Sequence, residues 1–238
     1  MKIYTNDDET IVVGKNNKED YIVKYDSEFY KIPQRSLEEL CDIKSLKLKK
    51  EILDKPYITI IMLAVILGTI FLFFIKEKYV IIDSNFLLAN IILVLNIFLH
   101  ELGHMIFLKS FYRDGRIKLG FKLFFIYPAF YVDTSDSYLL PKYKKISVYL
   151  AGNFFNSIYI LFCMIFIPEI NKYNYIVIST ILINFLPIVK SDGYYALISM
   201  WDKYIFFKGK TRGFIDDTIR GVIMFIFLYL LSKIQIQF

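Results

Sequence analysis

The chain has 238 residues, of which 56% are hydrophobic and 18% aromatic, and it carries a formal net charge of +6 at pH 7. This apolar content excludes an ordinary soluble domain and indicates an integral membrane protein. The excess positive charge is modest, so we expect no nucleic-acid partner, and two cysteines are too few for a disulfide framework or a cysteine-based metal site.

Residues 1–55 are rich in charge and are predicted to form a small cytoplasmic α+β module. The β-branched and aromatic segments 10–13 and 21–25 predict a hairpin, and residues 29–32 predict a third strand. Residues 36–39 (Ser-Leu-Glu-Glu) have the spacing of a capping box that opens a short helix. An open sheet edge can accept an extended peptide, so this module is either a docking site for a peptide or a simple N-terminal cap.

Residues 56–238 are predicted to form a polytopic membrane domain. Five apolar segments predict about five transmembrane helices, at residues 57–75, 86–108, 146–167, from about 175, and 221–234. Between the second and third, residues 117–132 have β-type composition with Gly and Pro, which predicts a re-entrant, β-like segment lying against the helices. We therefore expect an all-α membrane protein apart from this segment and the N-terminal module.

The second apolar segment contains both histidines of the chain, in the pattern His100-Glu101-x-x-His104. Residues four apart on a helix lie on the same face, so the two imidazoles can bind one ion while Glu101 lies beside it as a base. Ionisable side chains at membrane depth are candidates for function, because their burial in lipid is costly. The pattern predicts a zinc site with one Zn²⁺ per chain.

A third ligand is needed, because a catalytic zinc usually takes three protein ligands and a water. With no third histidine, a carboxylate must serve. Asp192 is expected at nearly the depth of His100 when a rise of about 1.5 Å per residue is counted along each helix. Asp133 and Asp136 remain alternatives, since a re-entrant segment can reach the same depth. Glu169, which another class of membrane zinc peptidase would require, is expected at the external end of the third span.

Three motifs in this order resemble the core helices of the site-2 proteases, which are intramembrane zinc metallopeptidases. The motifs are His-Glu-Leu-Gly-His at 100–104, Ala-Gly-Asn-Phe-Phe-Asn at 151–156, and Asn-Phe-Leu-Pro at 184–187 followed by Asp192-Gly193. Residues 131–136 and 190–195 are similar to a bacterial branch of peptide zinc metalloproteases associated with the maturation of small ribosomal peptides. The resemblance covers roughly residues 90–195.

The resemblance implies a three-helix zinc-peptidase core and assigns a role to each matching residue. It implies that the metal ligands are His100, His104 and Asp192, that Glu101 is the base, and that Asn184 is a polar active-site residue. Asn184 or Asn156 is expected to donate a hydrogen bond to the substrate or its oxyanion. Two residues depart from the family pattern. Asn153 stands where Pro is common, which we expect to be harmless. Lys190 replaces an apolar residue, which indicates a wetter mouth of the site or an acidic feature in the substrate.

The function predicted from these patterns is a membrane-embedded zinc metalloendopeptidase. It would hydrolyse a peptide bond in a membrane-associated or small precursor peptide, with a zinc-activated water and Glu101 as general base. Lysines before the first span place the N-terminus in the cytoplasm and the site in the cytoplasmic half of the cell membrane. The alternative is a non-proteolytic, zinc-binding membrane accessory for peptide export or immunity, which would have no need of Glu101.

Overall fold

The computed structural model describes residues 1–6, 10–15, 20–25, 28–33, 37, 46–76, 85–124, 127–185 and 191–200. Its strands are β1 (Lys2–Thr5), β2 (Ile11–Lys15), β3 (Asp20–Tyr25), β4 (Glu28–Pro33), β5 (Lys47–Glu51), β6 (Lys118–Phe124) and β7 (Tyr127–Asp133). Its α-helices are α1 (Tyr57–Lys76), α2 (Phe86–Phe111), α3 (Lys142–Phe166), α4 (Asn174–Phe185) and α5 (Asp192–Met200). Two 3₁₀ turns cover Ser135–Leu139 and Pro168–Tyr173.

The N-terminal strands form one antiparallel sheet in the order β4-β3-β2-β1-β5. β2 and β3 pair as the sequence predicts, with Ile11 opposite Tyr25, and β4 is the expected third strand. Alternation along the strands gives the sheet two apolar faces, because successive side chains point to opposite sides. The predicted capping box lies outside the described residues except for Leu37.

The expectation of an all-α fold is wrong, since the described chain combines a five-stranded sheet and a two-stranded hairpin with its helices. Strand β5 was the least visible in the sequence, because Lys-Leu-Lys-Lys-Glu resembles the charged flank of a membrane span. Lysine is common at a sheet edge, where it discourages pairing with further strands. The segment predicted as re-entrant is a regular hairpin of β6 and β7. Lys118 lies opposite Asp133 at its open end, and Phe124 lies opposite Tyr127 at the other end.

Three described helices, α1, α2 and α3, are long and apolar enough to cross a membrane, and they coincide with the first three predicted spans. Helices α4 and α5 have 12 and 9 residues, each short of the roughly 20 that a span requires. Residues 186–190, which include Pro187, lie outside the described residues, as does the predicted fifth span at 221–234. The described part therefore supports a membrane location and contains three candidate spans.

Helix α3 lies at the centre of the helical part and packs against α1, α2 and α5. The apolar core contains Met62, Ile66, Ile92, Leu150, Ile160, Val177 and Ile181. Helices α2 and α3 approach closely at Gly103, where an added Cβ would lie 2.6 Å from the carbonyl oxygen of Ala151. Small residues permit such backbone contact between membrane helices. This close approach of the two helices brings the histidines of α2 near α3.

The N-terminal sheet packs against the end of α2 and the beginning of α3. Ile3, Val12 and Ile22 from one face of the sheet share a buried cluster with Leu108 and Val148 of the helices. The same cluster includes the residues Leu139 and Leu140 that follow the hairpin. Burial of this apolar area stabilises the contact between the sheet and the helices.

Candidate metal centre

Helix α2 presents both histidines on one face. The helix begins after Asn85, whose side chain accepts a hydrogen bond of 3.1 Å from the N–H of Leu88 and so caps its first turn. One turn separates His100 from His104, and their Nε2 atoms lie 3.2 Å apart. His104 is buried, while His100 is partly exposed. The two ring nitrogens therefore converge on one point beside the helix.

The carboxylate of Asp192 completes this group from the first residue of α5. Its Oδ2 atom lies 2.8 Å from Nε2 of His100 and 3.2 Å from Nε2 of His104. Gly193 allows α5 to approach α4, because an added Cβ would overlap the carbonyl oxygen of Asn184. Ser191 donates a 2.7 Å hydrogen bond to that same oxygen. These contacts at the α4/α5 break aim Asp192 at the histidines.

The residues present fit a zinc ion. The two imidazole nitrogens and one carboxylate oxygen all lie within 4.8 Å of one another, and they are ligand types that Zn²⁺ commonly takes. Nδ1–H of His104 donates to the carbonyl oxygen of Val148 at 2.7 Å, which leaves Nε2 free to bind the metal. The assignment of these residues as ligands and the count of one zinc per chain stay predictions.

Asn156 lies beside the outer nitrogen of His100, with Nδ2 3.4 Å from Nδ1. Its Oδ1 atom is buried and has no hydrogen-bond partner among the described residues. A rotation of the amide by 180° would bring Oδ1 to Nδ1–H, which is the arrangement expected when Nε2 of the histidine binds a metal. Thus both histidines have an outer partner on α3.

Glu101 extends from α2 towards the hairpin. Its Oε2 atom accepts a 2.7 Å hydrogen bond from the backbone N–H of Val132 on β7. That N–H points away from β6, so the edge of β7 that has no partner strand among the described residues faces α2. The predicted base is therefore oriented by a backbone group that no sequence motif revealed.

Asn184, the other predicted polar residue, lies near the end of α4. Its Nδ2 atom donates a 3.2 Å hydrogen bond to Oδ1 of Asn153 on α3. Asn153 is buried and stands at the position where the resembled family often has Pro. The two amides join α3 to the helix that precedes Asp192, and a direct role of Asn184 or Asn156 towards substrate stays a prediction.

The alternative carboxylates are engaged elsewhere in the structure. Asp136 forms a buried ion pair with Lys24, and Asp133 accepts a 2.9 Å hydrogen bond from the N–H of Ser135. Neither belongs to the group of potential ligands around the histidines. Glu169 lies in the 3₁₀ turn beyond the far end of α3. Among the described residues, the geometry thus favours Asp192 over these three.

Comparison with known proteins adds one relative. Over 128 residues the chain is 39% identical to a Bacillus subtilis (strain 168) protein named "Putative peptide zinc metalloprotease protein YydH". This similarity supports a zinc metalloprotease family. The match covers 48% of the chain, and the chain spans about half the length (49%) of that relative. No family model and no solved structure matches the chain.

Gly152 of α3 lies against the ring of His100, and an added Cβ would overlap that ring. We expect Gly152→Ala to displace His100 and to lower zinc affinity by about tenfold or more, as changes next to a metal ligand do. Competition with a fluorescent zinc chelator measures this affinity. Gly68→Ala on α1 is the matched control, because a Cβ there meets open space. Equal zinc affinities of the two variants would contradict the prediction.

Proposed function

We propose that the chain is a membrane-embedded zinc metalloendopeptidase of the site-2 protease type, which cleaves a membrane-associated or small precursor peptide. One observation carries the proposal: His100 and His104 from one helix converge with Asp192 from another, while Glu101 lies next to a ligand. The name of the 39% identical relative supports the same chemistry. The ordered motifs of the sequence support the site-2 protease type.

In this proposal the metal ligands and Glu101 have separate tasks. A zinc ion held by His100, His104 and Asp192 would act as a Lewis acid that lowers the pKa of a water and polarises the scissile carbonyl. Glu101 accepts a proton from the attacking water and delivers it to the leaving amine. The N–H of Val132 fixes the orientation of the Glu101 carboxylate during these transfers.

The edge of β7 that carries no partner strand in the part of the chain that the structure describes is the surface that we propose for the substrate backbone. A helix hides its peptide bonds in its own hydrogen bonds, so a membrane-embedded substrate must first become extended near the site. The backbone groups of Phe130 and Val132 lie on the same edge because alternate residues of a strand share an edge. An extended peptide that pairs with this edge would pass close to Glu101.

For the location, we propose a multi-pass protein of the cell membrane with a cytoplasmic N-terminus and an active site in the cytoplasmic half of the bilayer. Three apolar helices and the lysines around residues 47–55 and 142–145 support this arrangement. The partners are then the lipid bilayer and a peptide or transmembrane protein substrate.

The test is metal-dependent cleavage by the purified full chain in nanodiscs. The protein is stripped with a chelator, reloaded with zinc, and mixed with candidate leader-bearing or transmembrane peptides whose fragments are identified by mass spectrometry. We expect one zinc per chain and cleavage that disappears on stripping and returns with zinc. Full zinc loading without cleavage of any peptide would contradict the proposal and favour the non-proteolytic accessory.

A further inference from the structure

The N-terminal sheet is joined to the hairpin β6–β7 by one buried ion pair. Nζ of Lys24, on β3, contacts Oδ1 of Asp136, in the 3₁₀ turn that follows β7. The exposed fractions of these side chains are 10% and 5%, so the pair is largely withdrawn from water. Since a buried charge without a partner is costly, each residue depends on the other for its position.

The second oxygen of Asp136 holds the other end of the hairpin. Oδ2 accepts a 2.6 Å hydrogen bond from the backbone N–H of Arg116, which lies two residues before β6. Asp136 itself lies three residues after the end of β7. One carboxylate therefore ties the strand that enters the hairpin, the strand that leaves it, and the N-terminal sheet.

Neighbouring contacts hold this turn in place. The rings of Phe29, on β4, and Tyr138 meet edge to face with centroids 5.4 Å apart, and Nζ of Lys24 lies 5.6 Å from the centroid of Phe29. Oγ of Ser137 donates a 3.1 Å hydrogen bond to the phenol oxygen of Tyr149 on α3. The base of the hairpin is thus fixed between the sheet and the helices.

The same hairpin carries the N–H of Val132 that binds Glu101, four residues before Asp136. A shift at the base of a two-stranded hairpin moves its strands together, because their ladder of hydrogen bonds is continuous from Lys118 to Phe124. The contact between Val132 and Glu101 consequently depends on where Asp136 is held.

We propose that Lys24 and Asp136 are positioning residues for Glu101, so that the N-terminal sheet is a structural part of the active site. Lys24 holds Asp136, Asp136 holds both ends of the hairpin, and the hairpin places the N–H of Val132 on the Glu101 carboxylate. The consequence for cleavage rests on the proposed function, whereas the consequence for the hairpin does not.

Hydrogen exchange of the full chain in nanodiscs tests the structural step without any substrate. In Lys24→Met the buried Asp136 carboxylate loses its cation and keeps the hydrogen bond from Arg116, and we expect hydrogen exchange of the peptide that contains Val132 to accelerate about tenfold or more. In the double variant Lys24→Met/Asp136→Asn the charge is gone and the Asn oxygen still accepts from Arg116, so exchange should return to within about threefold of the unmodified protein. Zinc content should not change in either variant.

Two further variants make the test specific. Lys24→Arg keeps the cation, so hydrogen exchange of the Val132 peptide is expected to stay slow. The charge-swapped double variant Lys24→Asp/Asp136→Lys restores opposite charges but removes the acceptor for the N–H of Arg116. Hydrogen exchange of the Val132 peptide in this variant is therefore expected to be as fast as in Lys24→Met. As a control, Lys49→Met breaks a more exposed ion pair with Asp114, 3.3 Å long, and should leave the Val132 peptide unchanged.

Cleavage assays then test the functional step. We expect kcat of Lys24→Met to fall about tenfold, because the base is misplaced, and to recover in the double variant. Unchanged exchange in Lys24→Met, or equally fast exchange in the double variant, would overturn the positioning role. Faster hydrogen exchange with an unchanged kcat would overturn the link between the Lys24–Asp136 pair and Glu101. Absence of cleavage by the unmodified protein would count against the proposed function alone.

Discussion

Glu101→Gln is expected to slow peptide cleavage by about 10²–10⁴-fold while the zinc content stays at that of the unmodified chain. Glutamine has nearly the same shape as glutamate, and its side-chain oxygen can still accept the hydrogen bond from Val132. It cannot take a proton from water at neutral pH, so the contribution of general acid–base catalysis is lost. That contribution is typically about 10²–10⁴-fold, and we expect kcat to fall by this factor.

The measurement pairs a cleavage time course with metal analysis of the same sample. Glu169→Gln is the matched control, since Glu169 lies in the turn beyond the far end of α3 and should leave both quantities unchanged. A Glu101→Gln enzyme that cleaves at the normal rate would show that another group is the base. Loss of zinc in this variant would instead mean that Glu101 contributes to binding the metal.

Asp192→Ala is expected to remove the zinc and, with it, all cleavage. One oxygen of Asp192 faces both histidines, so the substitution leaves two ligands on a single helix. Changes in outer contacts of a metal site cost about 10–100-fold in affinity, and removal of a ligand should exceed the upper end of this range. Chelator competition on the purified protein gives the affinity, and metal analysis after dialysis gives the occupancy.

Asp133→Asn is the control that separates Asp192 from the alternative ligands. Asp133 is also a carboxylate, and the sequence does not define its depth in the membrane. In the structure its Oδ1 atom accepts a hydrogen bond from the N–H of Ser135. We expect this variant to keep its zinc. Retention of zinc by Asp192→Ala together with its loss in Asp133→Asn would reverse the assignment.

The sequence revealed those parts of the site that lie close together in the chain. His100, Glu101 and His104 occupy adjacent turns of one helix, and helical periodicity alone places the two imidazoles side by side. Asp192 lies 92 residues beyond His100, so residue spacing left it in competition with other carboxylates. The prediction of Asp192 as the third ligand rests on its expected depth in the membrane and on the family resemblance.

Contacts made by backbone groups and by distant pairs were beyond prediction. The N–H of Val132 and the carbonyl oxygen of Val148 carry no side-chain signal, yet they orient Glu101 and His104. Lys24 and Asp136 are 112 residues apart, and nothing in either local pattern indicates the other. Strand β5 was missed for a related reason, since its pairing with β1 outweighs a composition that is unusual for a strand.

The division of the proposed metal ligands between α2 and α5 has a consequence for biosynthesis. When the ribosome has made α2 and α3, the nascent chain holds both histidines and Glu101 but lacks Asp192. A chain of this length offers two protein ligands, fewer than a catalytic zinc site normally uses. If the proposed function holds, zinc capture would be a late event in synthesis, and a newly made chain would stay without hydrolytic activity until α5 has docked against the helix that carries the histidines.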